Sequence, residues 1–301
     1  MVIAKIYGGL GNQMFQYAMA RSVAERNGLQ LKVDLSWFSS PVGTTQRIFG
    51  LDSFNIKLVN ANESEIANCL ALRKILGRNL YEAIVPFNYK KYVRTKDFQS
   101  FSEKYLRLKG DVYLEGYWTD ERYFADNADI VRNEFTLLRE LSSENSKIAS
   151  SIDTTESISI HVRRGDYISN SQFHSIFNIC DQHYYHRAIE LISGKVSSPV
   201  FFIFSDDIDW ARRNIKVGHD VVYVSGPKSE LPHEELILMS RCKHNIIANS
   251  TFSWWGAWLN RNQKKVVVAP DKWVQKTGSY GTQIVPATWT TVSAELQTRE
   301  N

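Results

Sequence analysis

The chain has 301 residues, 43% of them hydrophobic and 23% charged, with a formal net charge of +4. These proportions exclude a mostly disordered chain, and 16 Gly and 7 Pro exclude collagen-like or low-complexity architecture. The length fits two domains, the mild positive charge admits an anionic ligand without implying nucleic acid, and no apolar run approaches the roughly 20 residues that span a bilayer.

Val2–Tyr7 is a short apolar strand, and without a basic segment or cleavage site it does not read as a signal peptide. Gly8, Gly9 and Gly11 make a tight turn into a helix that starts at Asn12, with Met14, Phe15, Ala18, Met19, Ser22 and Val23 on one face. Asn27 and Gly28 are a helix stop. Leu31, Val33 and Leu35 then alternate with Lys32 and Asp34, the pattern of a half-buried second strand. A glycine turn followed by Asp34 half-matches a dinucleotide fingerprint, which makes an NAD-dependent oxidoreductase the rival enzyme reading. Met14, where close helix packing wants a third glycine, counts against it.

Residues 40–150 read as a helical, loop-rich insertion. Within them, 71–109 hold ten Lys/Arg against three acids. The plain reading is a solvated basic face; the functional one is attraction to an anionic membrane surface or an anionic acceptor carrier. The polar stretches 142–147 and 150–151 are expected to mark a domain boundary, giving domains at 1–150 and 151–301. Beyond it, strands are expected at 157–162, 200–205, 221–224, 245–249 and 265–269, and helices near 181–193, 207–215, 233–242 and 252–260. That alternation is a Rossmann-like half. Cys69, Cys180 and Cys242 lack metal-ligand spacing and read as buried thiols in a reducing compartment.

Three motifs close strands and a fourth opens a helix. His161, Arg163, Arg164, Gly165 and Asp166 follow the 157–162 strand, where open α/β sheets bind ligands. Two guanidiniums beside a glycine suit a phosphate, and Asp166 suits either a base or a carboxylate that orients an arginine. Asn249, Ser250, Thr251, Phe252 and Ser253 lead into an aromatic helix. Hydroxyls at a helix start suit both capping and anion binding, whereas Trp255 and Trp258 read as core. Asp206, Asp207 and Asp209 suit the first turn of a helix better than a metal site. Glu234 and Glu235 open another helix, with a carboxylate-to-ribose contact as the functional alternative.

Together, the runs 161–167 and 249–257 and the opening Gly8–Tyr17 resemble the α-1,2-fucosyltransferases of glycosyltransferase family 11, a likeness that extends to about Trp273. The resemblance implies a GT-B fold, two Rossmann-like domains facing across a cleft. It implies GDP-β-L-fucose as donor, a terminal galactoside 2-hydroxyl as acceptor, an inverting reaction and no metal or other cofactor. It puts Arg163 on the β-phosphate, with Ser250, Thr251 and Ser253 on the diphosphate. His161 and Glu235 fall on the nucleoside, and Arg164, Asp206, Asn249 and Phe252 complete the donor site. Gly9, Gly11, Asn12 and Gln13 face the cleft from the acceptor side. Asp166 is the candidate base, with His174 and Asp181 as alternatives. The remaining rival is a non-catalytic carbohydrate-binding protein using its many aromatics. The expected location is cytoplasmic, peripheral at the inner membrane face, with a lipid-linked glycan among the expected acceptors.

Overall fold

Short apolar strands, buried on both faces, pair in parallel in two separate sheets. The computed structural model describes residues 1–39, 47–95, 100–169, 171–224, 231–275 and 284–294, without the side chains at 166, 169 and 171–173.

The first unit contains β1 (Val2–Lys5), α1 (Leu10–Asn27), β2 (Leu31–Asp34), α2 (Glu63–Ile84), β3 (Tyr92–Arg94), β4 (Val112–Glu115) and α3 (Ala128–Glu134). Its sheet runs β2-β1-β4-β3, all parallel. Residues 40–150 are therefore no mere insertion, because β3 and β4 complete this sheet. They escape periodicity because each has only three or four residues, rich in tyrosine and valine. Helix α1 stops as read, with Gly28 left-handed at φ 61°.

Gln13 is fully buried. Its Nε2 donates to the carbonyls of Gly8 and Ile48, both at 2.9 Å, and its Oε1 accepts from Gly50 N at 3.0 Å. The side chain staples two loops together, which corrects its expected place on a ligand-facing surface. Asp34 is also buried, accepting from Tyr113 Oη at 2.6 Å and Ser36 N at 2.9 Å. Both carboxylate oxygens thus serve the sheet edge, and the dinucleotide reading loses its ribose acid. The basic run divides. Lys90 is buried, paired with Glu82 and lying over the Phe87 ring at 5.4 Å, whereas Lys74, Arg78 and Lys91 are exposed. Lys96 lies outside the described residues.

The second unit contains α4 (Ser143–Asp153), β5 (Glu156–Val162), α5 (Gly165–Ser169), α6 (Ser171–Phe177), α7 (Gln182–Ser193), β6 (Pro199–Ser205), α8 (Ile208–Asn214), β7 (Asp220–Tyr223), α9 (Pro232–Arg241), β8 (His244–Ile246), α10 (Thr251–Leu259), β9 (Val267–Pro270) and β10 (Thr290–Val292). The parallel sheet runs β10-β9-β8-β5-β6-β7. Chain contacts divide the two units between Leu138 and Arg139, ahead of the expected 150/151 division. The reason is local. The polar stretch from Ser142 is a capped helix, α4, docked on α9. Glu234 is 6% exposed and accepts from Ser142 N at 3.1 Å, Ser142 Oγ at 2.8 Å and Asn145 Nδ2 at 2.6 Å. Burial opposes its ionisation, but these hydrogen bonds prevail and keep its carboxyl below the usual range.

The three cysteines are free thiols, all buried, and burial raises each above its ordinary pKa. Trp254, Trp255 and Trp258 of α10 are buried with Trp289, as the aromatic pattern requires. Helices α9 and α10 approach closely at Gly256, where an added Cβ would sit 2.9 Å from Met239 Cβ. Gly256→Ala should therefore lower stability by about 1–3 kcal/mol through overpacking. Urea unfolding measures the loss, and an unchanged midpoint would show that the helices can part at no cost.

Candidate nucleotide site at the strand ends of the second unit

Strand β5 is flanked by β6 on one side and β8 on the other. The chain moves outward through β6 and β7, then returns to β8 across β5. This reversal makes the carboxyl ends of β5 and β8 a topological switch point, the place where doubly wound sheets bind ligands. Parallel register sets Val162 opposite Ser205 and Ile160 opposite Ile246. The residues that follow these three strands accordingly emerge at one sheet edge.

After β5, Arg163 Nη1 reaches Asp206 Oδ2 at 2.8 Å, and Arg164 N donates to Asp206 Oδ1 at 2.8 Å. The Arg164 guanidinium lies between Asp207 Oδ2, 3.2 Å from its Nε, and the Trp210 ring, 3.9 Å from its Cζ. The orienting carboxylates thus come from the end of β6, and the side chain of Asp166, expected as one of them, lies outside the described residues. Gly165 leaves room for this carboxylate, since an added Cβ would sit 2.7 Å from Asp206 Oδ2 and would have to displace it. Asp207 also caps α8 by accepting from Trp210 N at 3.0 Å, and Asp209 follows in the first turn. The helix-start reading of this acidic run holds. Among the described residues, no cluster of three or more His, Cys, Asp or Glu is arranged to hold a metal ion.

After β8, the turn into α10 is clamped from several sides. Asn249, 1% exposed, donates from Nδ2 to the carbonyls of Phe177 at 2.8 Å and Trp273 at 3.0 Å, and accepts from Cys180 Sγ at 3.4 Å. Tyr167 Oη donates to Asn249 O at 3.1 Å, and Tyr184 Oη to Ile247 O at 2.6 Å. Both amide hydrogens of Asn249 are engaged within the protein, so it positions the turn, a correction to its expected contact with donor. Ser253 is likewise buried, with Oγ donating to Ala248 O at 3.3 Å and Ser250 O at 3.2 Å. Ser250 caps α10, accepting from Phe252 N at 3.3 Å, and the first turn carries no acid to offset the helix dipole. Thr251 and Phe252 are half-buried beside it.

His161, next to last in β5, is 5% exposed, with its ring centroid 5.6 Å from that of Phe252. Its Nδ1 is a buried polar atom with no hydrogen-bond partner among the described residues. Burial depresses its pKa to about 4; nearby Asp206 opposes the shift and Arg163 adds to it. Glu235 is half-buried in the first turn of α9, which packs on α10. Among the alternative bases, Asp181 caps α7 by accepting from Tyr184 N at 2.9 Å, and His174 is exposed, 3.1 Å from Asn178 Nδ2. In the first unit, Gly9 caps α1, with Gly11 buried and Asn12 half-buried after it. The sequence reading gave no supporting role to Trp210, Tyr167 and Tyr184; Tyr167 and Trp210 are aromatic residues that closely follow expected strands, whereas Tyr184 lies within the helix expected at 181–193.

The family model described as "Glycosyl transferase family 11" matches residues 1–292. An Escherichia coli protein named alpha-1,2-colitosyltransferase is 33% identical over 96% of this chain and 98% of its own length. A Hylobates lar protein named galactoside alpha-(1,2)-fucosyltransferase 2 is 27% identical over 84% of this chain and 67% of its own. Among solved structures, an Arabidopsis thaliana FUT1 mutant in complex with GDP is similar with a TM-score of 0.51 at 12% identity, covering 90% of this chain and 71% of that one. That likeness concerns the fold alone, and with two parallel-sheet units it bears out the expected α/β fold of GT-B type.

The depressed His161 pKa has a consequence for stability. The unfolded chain binds a proton at His161 near pH 6.5, whereas the folded chain binds it only near pH 4. Stability is therefore undiminished above pH 6.5 and falls as the pH drops towards 4, by up to roughly 3 kcal/mol from this group. Urea unfolding at pH 7 and at pH 4.5 should show the loss in the native chain and a smaller one in His161→Gln. Equal losses would refute the assignment.

Proposed function

Because the chain belongs to glycosyl transferase family 11, we propose that it transfers L-fucose from GDP-β-L-fucose to the 2-hydroxyl of a terminal galactose, with inversion to an α-1,2 linkage and without a metal. One observation carries the donor half of this reading, the arginine pair held by Asp206 and Asp207 at the sheet edge that also carries the acid-free start of α10. Breaking the sugar–phosphate bond builds negative charge on the departing diphosphate and oxocarbenium character on the sugar. Arg163, the α10 amides and the hydroxyls of Ser250 and Thr251 are the groups that meet this charge. Their contacts strengthen as the bond breaks, so they favour the transition state over the bound donor.

His161 and Glu235 are proposed for the nucleoside. A neutral imidazole can accept a hydrogen bond at one nitrogen and donate at the other, and its depressed pKa keeps it neutral at ordinary pH. Arg164, Asp206, Asn249 and Ser253 then act by holding the arginine fork and the turn. Asp166 is proposed as the base that takes the acceptor proton. The first unit is proposed as the acceptor side through Gly9, Gly11 and Asn12, with Gln13 supporting the loop. The acceptor is a galactoside glycan, free or lipid-linked, and the site of action is the cytoplasm, at the inner membrane face. Among the described residues no helix is long and apolar enough to cross a membrane.

A second donor deserves the same test, since the first relative named above carries colitose in its name. Offered side by side, GDP-fucose and GDP-colitose with a panel of β-galactosides should yield an α-1,2-fucosylated product, identified by linkage mapping. Turnover with colitose alone would replace the sugar and leave the nucleotide reading intact. Activity should persist in excess EDTA; strict dependence on added Mg²⁺ or Mn²⁺ would sink the metal-free mechanism.

Arg163→Ala should lower kcat/KM by about 10²-fold or more, the scale for losing a group that stabilises developing charge. Its melting temperature should stay close to that of the native chain. Near-normal turnover in this variant would refute the phosphate role. In calorimetry, GDP should bind and NAD should not.

A further inference from the structure

Helix α2 is apolar on two sides. Its inner side packs Ile66, Cys69 and Leu70 against Ile3, Tyr92 and Tyr113 of the first sheet. Its outer side exposes Leu72 (40%), Ile75 (79%), Leu80 (49%) and Ile84 (56%), and Tyr89 follows at 63%. These are five of the nine large apolar side chains that are exposed among the described residues, gathered within eighteen positions. A surface helix of a globular protein normally keeps one apolar stripe inward and turns charge outward. Scattered single exposures need no explanation, but a concentration on one element marks an interaction surface. Gly77, non-helical at φ 71°, divides the helix, so Leu72 and Ile75 lie on the first stretch and Leu80 and Ile84, four apart, on the second.

The charge around these residues identifies the partner. Lys74 and Arg78 are exposed among them, and Lys91 is exposed just beyond. The single acid on α2 after Glu65 is Glu82, and Lys90 pairs with it. A second copy packed symmetrically on this face would bring together two surfaces whose exposed cations, Lys74 and Arg78, carry the same sign. An anionic lipid surface offers opposite charge to the cations and an acyl boundary to the aliphatics. We propose that the outer side of α2 is a membrane-docking surface that lies in the headgroup layer of an anionic bilayer. The inference gives the expected inner-face association a definite location, carried by Ile75, Leu80, Lys74 and Arg78 and not by Lys90, which is buried. It does not rest on the donor or acceptor assignment, because its readout is partition and not turnover.

The test floats the full chain with phosphatidylglycerol-containing vesicles and with pure phosphatidylcholine vesicles. The native chain should partition onto the anionic vesicles and release with added salt. Ile75→Asp with Leu80→Asp, and separately Lys74→Glu with Arg78→Glu, should each lower the bound fraction about tenfold or more. Turnover of a water-borne acceptor should stay within about twofold, because none of the four substituted residues is among those proposed to hold donor or acceptor. The two variants attack apolar and charged contacts independently, so misfolding of one leaves the other informative. Absence of partition by the native chain, equal partition on neutral vesicles, or undiminished partition in a folded variant would each overturn the proposal. So would a native dimer that the Ile75→Asp, Leu80→Asp variant splits while vesicle binding is absent, which would give the surface to a second copy.

Discussion

Asp206 receives two arginine residues at once. One carboxylate oxygen meets the Arg163 guanidinium and the other the Arg164 backbone N–H. This arrangement depends on parallel register, because β5 and β6 must end level for the residues after Val162 and Ser205 to meet. It also depends on Gly165, since any side chain there would strike the carboxylate. A free arginine explores many rotamers and loses that freedom when it grips an anion. The contact with Asp206 limits that freedom at Arg163, so less of it remains to be lost when the guanidinium meets an anion.

The same economy recurs where loops must hold a fixed shape. Gln13 clamps the loop before α1 to one that follows β2, Asn249 clamps the turn before α10, and Glu234 clamps the start of α4. Each is almost wholly buried, and each satisfies backbone or side-chain groups that would otherwise be stranded away from water. A buried amide with a complete set of partners specifies one loop conformation, whereas an apolar side chain of similar size would leave those groups unmatched.

Much of this was legible in the sequence. The five strands and four helices expected in the second unit lie within a few residues of their expected positions, because buried parallel strands read as short continuous apolar runs, whereas α4, α5, α6 and β10 were not among them. The run from His161 to Tyr167 and the run from Asn249 to Ala257 stood out because polar residues follow such strands directly. What stayed hidden depends on pairing at long range. Nothing near Arg163 in sequence singles out Asp206, 43 residues later, over the adjacent Asp166. Strands β3 and β4 are too short to show a period and are defined by their place beside β1. Asn249 and Gln13 look like ligand contacts because polar residues beside a glycine or serine turn fit both roles, and burial decides between them.

The tryptophans of α10 add a practical property. Trp254, Trp255, Trp258 and Trp289 lie with neighbouring ring centroids 5.1–6.1 Å apart, on and beside the helix that Ser250 caps. Indoles this close exchange excitation and couple their electronic transitions. Their emission and near-ultraviolet dichroism therefore belong to the group more than to any single ring. A shift in the α10 turn moves the whole group, so the second unit carries its own optical gauge of that turn.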